Sequence, residues 1–279
     1  MRMGFVMLAG RPNVGKSTLL NALCGRKLSI VSDKPQTTRH RIRGILNRDD
    51  AQVVFVDSPG IHKPKTALGE RVNEQAYQAI ADTDVFCLVV PADEPFGSGD
   101  QWVADRLDMN RTFVVVNKID VVPRERVLAQ LARVAELGAV AYFPVSARTG
   151  EGLEALTSEL QRMLPEGPAM YPLDMSTETS PESWVAELVR EVLLDLTHDE
   201  LPYSIATRVV SVDNDVYRCE IVVERESQKG MVIGKGGSVL REIRRRVRKE
   251  LPKGAGLELV VTVDKDWQHR ADRVQRLGY

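Results

Sequence analysis

Eight consecutive residues near the N-terminus have the types and the spacing needed to hold a polyphosphate. They are Gly10, Arg11, Pro12, Asn13, Val14, Gly15, Lys16 and Ser17. This order is a complete G-x-x-x-x-G-K-[ST] loop, whose backbone N–H groups surround bound phosphates. Lys16 is predicted to reach the β- and γ-phosphates, and the Ser17 hydroxyl to bind Mg²⁺. A chance glycine-rich turn is the alternative, but the apolar run before the loop and the helical pattern after it argue against that.

A second segment has the side chains needed to recognise guanine. It consists of Asn117, Lys118, Ile119 and Asp120, directly after an apolar run. The Asp120 carboxylate can accept hydrogen bonds from N1–H and the exocyclic amine of guanine, whereas adenine would leave this charge unpaired. Ser146 and Ala147, after a sixth apolar strand, are predicted to support the base from another side. Taken alone, the segment is also typical of a turn capped by Asp, but its place downstream of a phosphate loop favours base recognition.

Two further segments are expected to respond to the γ-phosphate. One consists of Asp57, Ser58, Pro59, Gly60 and Ile61, and the other is the segment 36–40, which contains Thr38. Asp57 ends a strand and suits a Mg²⁺ site, and the Gly60 N–H is expected to approach the γ-phosphate. Thr38 is predicted to bind Mg²⁺ only while a γ-phosphate is present, so that its loop orders and is later released. A simple Asp-x-Pro-Gly turn and a polar surface loop are the alternatives.

These segments assign roles to individual residues. Lys16, Thr38 and Gly60 are the candidate catalytic residues, and Ser17, Thr38 and Asp57 are the candidate metal ligands. The candidate GTP-binding residues are all of residues 10–17, 57–61 and 117–120, together with Ser146 and Ala147.

Alternating strand and helix patterns over residues 1–165 are expected to position these side chains. Candidate strands cover 3–9, 43–47, 52–57, 84–91, 112–117 and 140–145. Candidate helices cover 15–24, 68–81, 98–108, 123–137 and 151–163. Such alternation predicts a mostly parallel sheet covered on both faces. The segments named above then lie at the carboxyl ends of strands, where open α/β sheets bind ligands.

The rest of the chain is predicted to form a linker and a second, smaller domain. Residues 166–181 are rich in proline and small polar residues, which is typical of a linker with a few anchoring contacts. Residues 182–279 are expected to follow the order α-β-β-α-β-α. The predicted elements are helix 182–196, strands near 204–212 and 216–225 with a turn at 213–215, a basic helix, strand 257–263 and helix 266–277.

A glycine loop in this second domain is the candidate RNA site. Its residues are Ile233, Gly234, Lys235, Gly236 and Gly237, followed by a helix that carries Arg241 and Arg245. A G-x-x-G loop can clamp a backbone of about four nucleotides, and the next helix presents its N-terminus to a phosphate. Ile233, Val239 and Ile243 are expected to form the groove for the bases. A tight strand–helix turn and a solvated helix face are the ordinary alternatives.

The order G-x-P-N-V-G-K-S, T-T-R, D-S-P-G, N-K-I-D and V-S-A resembles the translation-factor class of small GTPases, and the second domain resembles the type II KH domain. Together they resemble the bacterial Era-type GTPases over essentially the whole chain. The resemblance implies an α/β P-loop GTPase domain followed by a smaller α+β type II KH domain. It implies GTP or GDP and Mg²⁺ as ligands. It also implies binding of the 3′ end of small-subunit ribosomal RNA and a role in maturation of the small ribosomal subunit.

The same resemblance suggests two details of the hydrolysis mechanism. Ile61 stands where a Ras-like enzyme has a water-orienting glutamine, so slow intrinsic turnover is expected. In related GTPases with the P-N-x-G-K-S form, the asparagine helps to hold a K⁺ ion against the phosphates. Asn13 carries this hypothesis here.

Composition limits the cellular setting. Hydrophobic residues make up 43% and charged residues 28% of the 279 residues, which is ordinary for a globular protein and leaves no run of membrane-spanning length. No signal peptide is apparent, and three widely separated cysteines fit a reducing cytoplasm. We expect a cytoplasmic monomer that does not bind DNA. The resemblance adds a peripheral contact with the inner face of the membrane, which nothing in the sequence demands.

Two other function classes stay open at this point. One is a phosphoryl-transfer enzyme with a small-molecule acceptor, which the guanine-reading segment argues against. The other is a passive RNA-binding adaptor in which the nucleotide is structural. Equal RNA affinity with GDP and with a GTP analogue would favour the adaptor.

Overall fold

The computed structural model describes residues 1–34, 37–57 and 66–279, with the side chains of 75–79 excepted. Contacts divide the described residues into two compact units. The first contains most of the chain up to Glu178, and the second contains Thr179–Tyr279 together with residues 32–34, 37 and 66–71. The boundaries proposed from the sequence, at 165 and 182, stay a prediction.

The first unit is built on a six-stranded sheet with the order β2-β3-β1-β4-β5-β6. The strands are β1 (Arg2–Ala9), β2 (Ile42–Asn47), β3 (Ala51–Asp57), β4 (Val85–Pro91), β5 (Thr112–Asn117) and β6 (Ala141–Pro144). Only the β2–β3 pair is antiparallel among these strands. Every residue of β3, β4 and β5 is buried, as expected of strands covered on both faces.

Helices cover both faces of this sheet. They are α1 (Lys16–Leu23), α2 (Ala67–Ala81, which belongs to this unit from Val72 onward), α3 (Ser98–Ala104), α4 (Arg124–Val134) and α5 (Leu153–Met163). Leucines of α1 and α5 share one core with alternate residues of the strands. The other set of strand residues packs against α3 and α4. The predicted mostly parallel α/β architecture is therefore confirmed, although α3 ends at Ala104 and α4 at Val134, earlier than the sequence predicts.

Part of the segment predicted as a linker, 166–181, is held by side chains of the first unit. Gln52 is fully buried, and its Oε1 accepts a hydrogen bond of 2.8 Å from the Met170 N–H. Asn47 Nδ2 donates to the Met175 carbonyl at 2.9 Å. These bonds attach the extended chain to β2 and β3.

The second unit is a three-stranded sheet with the order β7-β8-β9 and its own helices. The elements are α6 (Pro181–Leu196), α7 (Leu201–Ser204), β7 (Ala206–Asp213), β8 (Val216–Val223), α8 (Glu226–Ile233), α9 (Ser238–Val247), β9 (Gly256–Val263) and α10 (Ala271–Arg276). β7 and β8 are antiparallel, and β8 and β9 are parallel. Between β7 and β8, Asn214 and Asp215 have φ values of +49° and +62°, as a type I′ hairpin turn requires.

The second unit differs from the predicted order at three places. The sequence analysis includes neither α7 nor α8. In α8 only Val232 is buried among its described residues, so the apolar spacing that marks a helix is missing. The final helix is shorter than the predicted 266–277, because a 3₁₀ turn at Trp267–His269 precedes α10.

None of the helices formed by the described residues combines the length and the apolar character needed to cross a membrane.

Candidate functional site

The phosphate-binding loop joins β1 to α1 in a backbone conformation that needs glycine at its end. Gly15 has a φ of +96°, and a Cβ at this position would lie 2.4 Å from Asn117 Nδ2. Asn13 also has a positive φ, of 65°. The loop therefore turns sharply into α1 and directs the N-terminus of that helix toward the loop's concave side.

Lys16 lies inside this loop. Its side chain is buried, and Nζ donates hydrogen bonds of 2.8 Å to the carbonyls of Gly10 and Arg11. Burial lowers the pKa of Lys16 to about 8, although Asp57 acts in the opposite direction. The ammonium group is thus held where a polyphosphate would lie, with little water around it.

The three predicted metal ligands come together beside the loop. Ser17 Oγ donates to Asp57 Oδ2 at 2.7 Å and lies 3.1 Å from Thr38 Oγ1. Ser29 Oγ donates to the same Asp57 oxygen at 3.1 Å. Asp57 is fully buried, and burial raises the pKa of its carboxyl group. Its Oδ1 has no hydrogen-bond partner within the described part of the chain.

This arrangement fits Mg²⁺. Mg²⁺ prefers oxygen ligands, usually one or two carboxylates completed by water and phosphate oxygens. Such oxygens are supplied by a buried carboxylate oxygen that has no partner among the described residues and by two adjacent hydroxyls. Ser29 was not identified from the sequence, because no motif marks it. Its position between buried Leu28 and Ile30 is the only signal.

The guanine-reading segment is tied to the phosphate loop and to the loop after β6. Asn117 Nδ2 donates to the Val14 carbonyl at 3.0 Å, and its Oδ1 accepts from the Ala147 N–H at 3.0 Å. Ser146 Oγ donates to Asp120 Oδ1 at 2.8 Å, which orients a carboxylate that is otherwise exposed. The structure therefore brings Asn117, Asp120, Ser146 and Ala147 together, and their contact with guanine stays a prediction.

Acidic residues after β4 hold two basic residues of the site. Lys118 has a φ of +66°, and its Nζ lies 3.1 Å from Asp93 Oδ2. Arg11 Nε donates to Asp100 Oδ1 at 2.8 Å, and Arg11 Nη2 lies 2.8 Å from a Glu94 carboxylate oxygen. Sequence reasoning missed these acidic partners, since they follow no recognisable spacing.

Several predicted site residues lie outside the described part of the chain. They are Ser58, Pro59, Gly60 and Ile61. Their proposed roles rest on the sequence alone.

In the second unit, the candidate RNA loop joins α8 to α9. Gly234 has a φ of +73°, and a Cβ there would lie 2.6 Å from Val239 Cγ2. Lys235 is exposed on the loop. Arg241 Nη1 donates to the Gly236 carbonyl at 2.6 Å, so the helix side chain fixes the loop that precedes it.

The basic helix α9 is partly neutralised by its own acid. Arg245 donates two hydrogen bonds of 2.7 Å to Glu242, and Arg246 donates another. Together they lower the pKa of Glu242 to about 2. Ile243, predicted to line the base groove, is instead fully buried in the core. This prediction was wrong because helical spacing does not show which end of an apolar stripe reaches the surface.

The fold and the two loops define the class: a P-loop GTP-binding domain followed by a KH domain. Family models agree, since the 50S ribosome-binding GTPase family matches residues 5–118 and the KH domain family matches residues 200–268. GTPase Era of Mycobacterium sp. (strain KMS) is 45% identical, and the alignment covers 100% of this chain and 99% of that protein. GTPase Era of Mycobacterium tuberculosis (strain CDC 1551 / Oshkosh) is 46% identical, over 99% and 98%.

Two solved structures are similar over the full length. One is a variant of Aquifex aeolicus Era bound to GDP and AlF₄⁻, and the other is Era in complex with MgGDPNP and nucleotides 1506–1542 of 16S ribosomal RNA. Each has a TM-score of 0.94 and 37% identity, and covers 100% of this chain and 99% of its own. The chain belongs to the Era family of GTPases.

Proposed function

We propose that this protein is a GTP-hydrolysing switch that binds the 3′ end of small-subunit ribosomal RNA and assists maturation of the small ribosomal subunit. The observation that carries the proposal is the full-length similarity to the Era that was solved with MgGDPNP and nucleotides 1506–1542 of 16S ribosomal RNA. Both loops needed for those two ligands are present in this chain. The protein is proposed to act as a monomer in the cytoplasm.

The proposed chemistry follows from the side chains around the phosphate loop. Lys16 and the loop N–H groups stabilise negative charge on the β- and γ-phosphates. Ser17, Thr38 and Asp57 would hold Mg²⁺, which when bound neutralises phosphate charge. The proposed catalytic set is Lys16, Thr38 and Gly60. Because Thr38 Oγ1 lies 3.5 Å from Asp57 Oδ2, the Thr38 loop and the metal site are expected to order together.

We propose that intrinsic turnover is slow and depends on K⁺. Ile61 cannot orient the attacking water as a glutamine does, and the Asn13 side chain is proposed to help hold K⁺ against the phosphates. Replacing K⁺ with Na⁺ should therefore slow GTP hydrolysis. The variant Asn13→Ala should turn over at the same rate in both salts. Equal rates for the unaltered protein would remove the K⁺ proposal and leave the rest intact.

RNA binding is proposed to use the loop between α8 and α9, with Ile233, Lys235, Arg241 and Arg245 beside its glycines. The double variant Lys235→Asp, Gly236→Asp should abolish RNA binding and leave GTP binding unchanged. The fold should tolerate it, because a Cβ at Gly236 meets nothing within 4 Å and Asp accepts a φ of +58°.

The chain offers a matched control for this variant. Lys253 and Gly254 form another Lys-Gly pair in the same unit, and Gly254 also has a positive φ, with nothing within 4 Å of a Cβ added there. Lys253→Asp with Gly254→Asp should bind RNA normally. If both double variants lost RNA binding equally, net charge rather than the loop would be responsible.

The switch itself is tested by the nucleotide dependence of RNA binding. RNA affinity should be higher with a non-hydrolysable GTP analogue than with GDP. Equal affinity in the two states would favour a passive adaptor. GTP turnover that needs a small metabolite and ignores RNA would favour a phosphoryl-transfer enzyme.

A further inference from the structure

A second charged site lies in the RNA-binding unit, away from the glycine loop. Alternate residues of β8, such as Cys219 and Ile221, pack in the core against the helices α6, α8 and α9. Glu220, which lies between them, lines a cavity of about 310 Å³ on the other face of the sheet. Residues from the end of β9 and from α10 complete its walls. The charged residues of the lining are Arg208, Glu220, Asp264, Lys265, Arg273 and Arg276.

The cavity contains more positive charge than its own carboxylates balance. Arg208 Nε lies 2.7 Å from a Glu220 carboxylate oxygen. Arg276 and Arg273 share Asp264, at 2.7 and 3.4 Å. Four cationic side chains thus face two carboxylates in the lining. The excess within the lining is two positive charges, or one when Asp272, which pairs with Arg273, is counted, and it favours an anion with several acceptor oxygens.

Two of these cationic side chains differ in their surroundings. Arg273 Nε is buried and makes no hydrogen bond to any described residue. The Asp272 carboxylate lies 3.4 Å from it but is largely exposed and does not line the cavity. Lys265 is exposed at the cavity's edge. The Lys265 ammonium group is therefore accessible to an anion at the cavity's edge, and Arg273 adds positive charge to the lining.

We propose that this cavity is a second phosphate site of the RNA-binding unit, which takes a backbone phosphate of a bound RNA strand. Arginine forks match the geometry of phosphate oxygens. None of the lining residues, all of them described, is aromatic, so the site takes a phosphate and not a stacked base. The glycine loop lies between α8 and α9, which pack on the opposite, apolar face of the sheet. Only an RNA longer than the loop's own footprint therefore reaches both sites.

This inference rests on the proposed RNA-binding function, and the test separates the two. The full-length protein is titrated with a four-nucleotide RNA and with an RNA of about 20 nucleotides, at several salt concentrations. Lys265→Glu and Arg276→Gln are compared with Lys253→Glu. Lys253 is also an exposed loop lysine of this unit, but it does not line the cavity. Inorganic phosphate is added as a competitor in a separate series.

Both cavity variants should bind the longer RNA about three- to tenfold more weakly, with a salt slope reduced by about 0.7. Binding of the four-nucleotide RNA should stay unchanged, and Lys253→Glu should behave like the unaltered protein. Equal binding of the longer RNA by cavity and control variants would overturn the inference. The inference would also be overturned if inorganic phosphate occupied the cavity without weakening RNA binding, because the cavity would then be a site for free phosphate. If the unaltered protein did not bind the four-nucleotide RNA at all, that result would instead contradict the proposed function.

Discussion

Lys16 and Asp57 are opposite charges buried within the same site, and burial shifts the pKa of each toward its neutral form. These shifts mean that keeping both groups charged in the empty site costs free energy, which a charged ligand offsets. The negative phosphates would favour the protonated form of Lys16, and Mg²⁺ would favour the ionised form of Asp57. The same two side chains thus make the empty site less stable and the occupied site more selective for a metal-bound polyphosphate.

The lowered pKa of Lys16 predicts pH-dependent nucleotide binding. In the nucleotide-free protein Lys16 has a pKa of about 8, against 10.5 for an ordinary lysine. Because bound phosphates favour the charged form, GDP binding should take up a proton above pH 8, and affinity should fall as pH rises. Calorimetry in two buffers of different ionisation enthalpy measures this uptake. Affinity that stays constant between about pH 7 and 9, without proton uptake, would contradict the prediction.

Burial of Lys16 also has a consequence for stability. A lysine whose pKa is lower in the folded than in the unfolded state binds fewer protons when folded. Its contribution to the free energy of unfolding therefore rises between pH 8 and 10.5, and the cost of burying it is fully present below pH 8.

Asn117 is predicted to be a structural tie as well as a base contact. Asn117→Ala removes its bonds to the Val14 carbonyl and the Ala147 N–H, so two buried groups lose a partner. The expected cost is about 2–4 kcal/mol in the free energy of unfolding of the nucleotide-free protein. Urea unfolding measures it, with exposed Asn110→Ala as the control. A loss no larger than that of the control would show that the contact to guanine is its only role.

At the scale of single elements, α6 carries a buried ion pair that should dominate its stability. Arg190 is fully buried, and its guanidinium bonds to Glu187, three residues earlier on the helix, and to the Thr37 carbonyl. Arg190→Met would remove the cation that faces a buried carboxylate, and we expect a cost of about 3–5 kcal/mol. Replacing Glu187 with Leu in the same chain should restore part of that loss.

An exposed pair of the same spacing is the control for Arg190. Arg245 and Glu242 of α9 are also three residues apart, but the Arg245 side chain is 60% exposed. Arg245→Met should therefore cost no more than about 1 kcal/mol. Denaturant unfolding of the full chain compares the two variants. Equal losses would mean that burial does not decide the strength of the pair.

The elements that sequence patterns predict best are those whose burial is uniform. The continuous apolar runs of β4 and β5 predict those strands to within one residue, because strands buried on both faces need such runs. α8 was missed because it buries only Val232 among its described residues. In the site, fixed spacing reveals Lys16, Ser17 and Asp57. Ser29 reaches the site from a loop and Asp100 from the first turn of α3, and no motif marks either, so only the folded chain brings them there.

At the scale of the whole molecule, the proposed nucleotide site and the proposed RNA site are supported by different hydrophobic cores. The residues around the nucleotide site are supported by the cores of the first unit, and the glycine loop by the core of the second. The net charge of −1 conceals this division, since the basic residues of α9 and of the second phosphate site are concentrated in the RNA-binding unit. Salt should therefore weaken RNA binding much more than it weakens folding.

Separate cores predict two unfolding transitions, of which the nucleotide stabilises only one. A ligand at 100 times its Kd adds about 2.7 kcal/mol to the unit that binds it. For a unit of this size the corresponding rise in Tm is about 5–10 °C. Calorimetric scans with MgGDP should therefore shift one transition and leave the other in place, whereas MgADP should shift neither, because adenine has no hydrogen-bond donor at its N1 and C2 positions to meet Asp120. A single transition that moves as a whole with MgGDP would show that the two units unfold together. The RNA-binding unit would then be stabilised directly by the nucleotide.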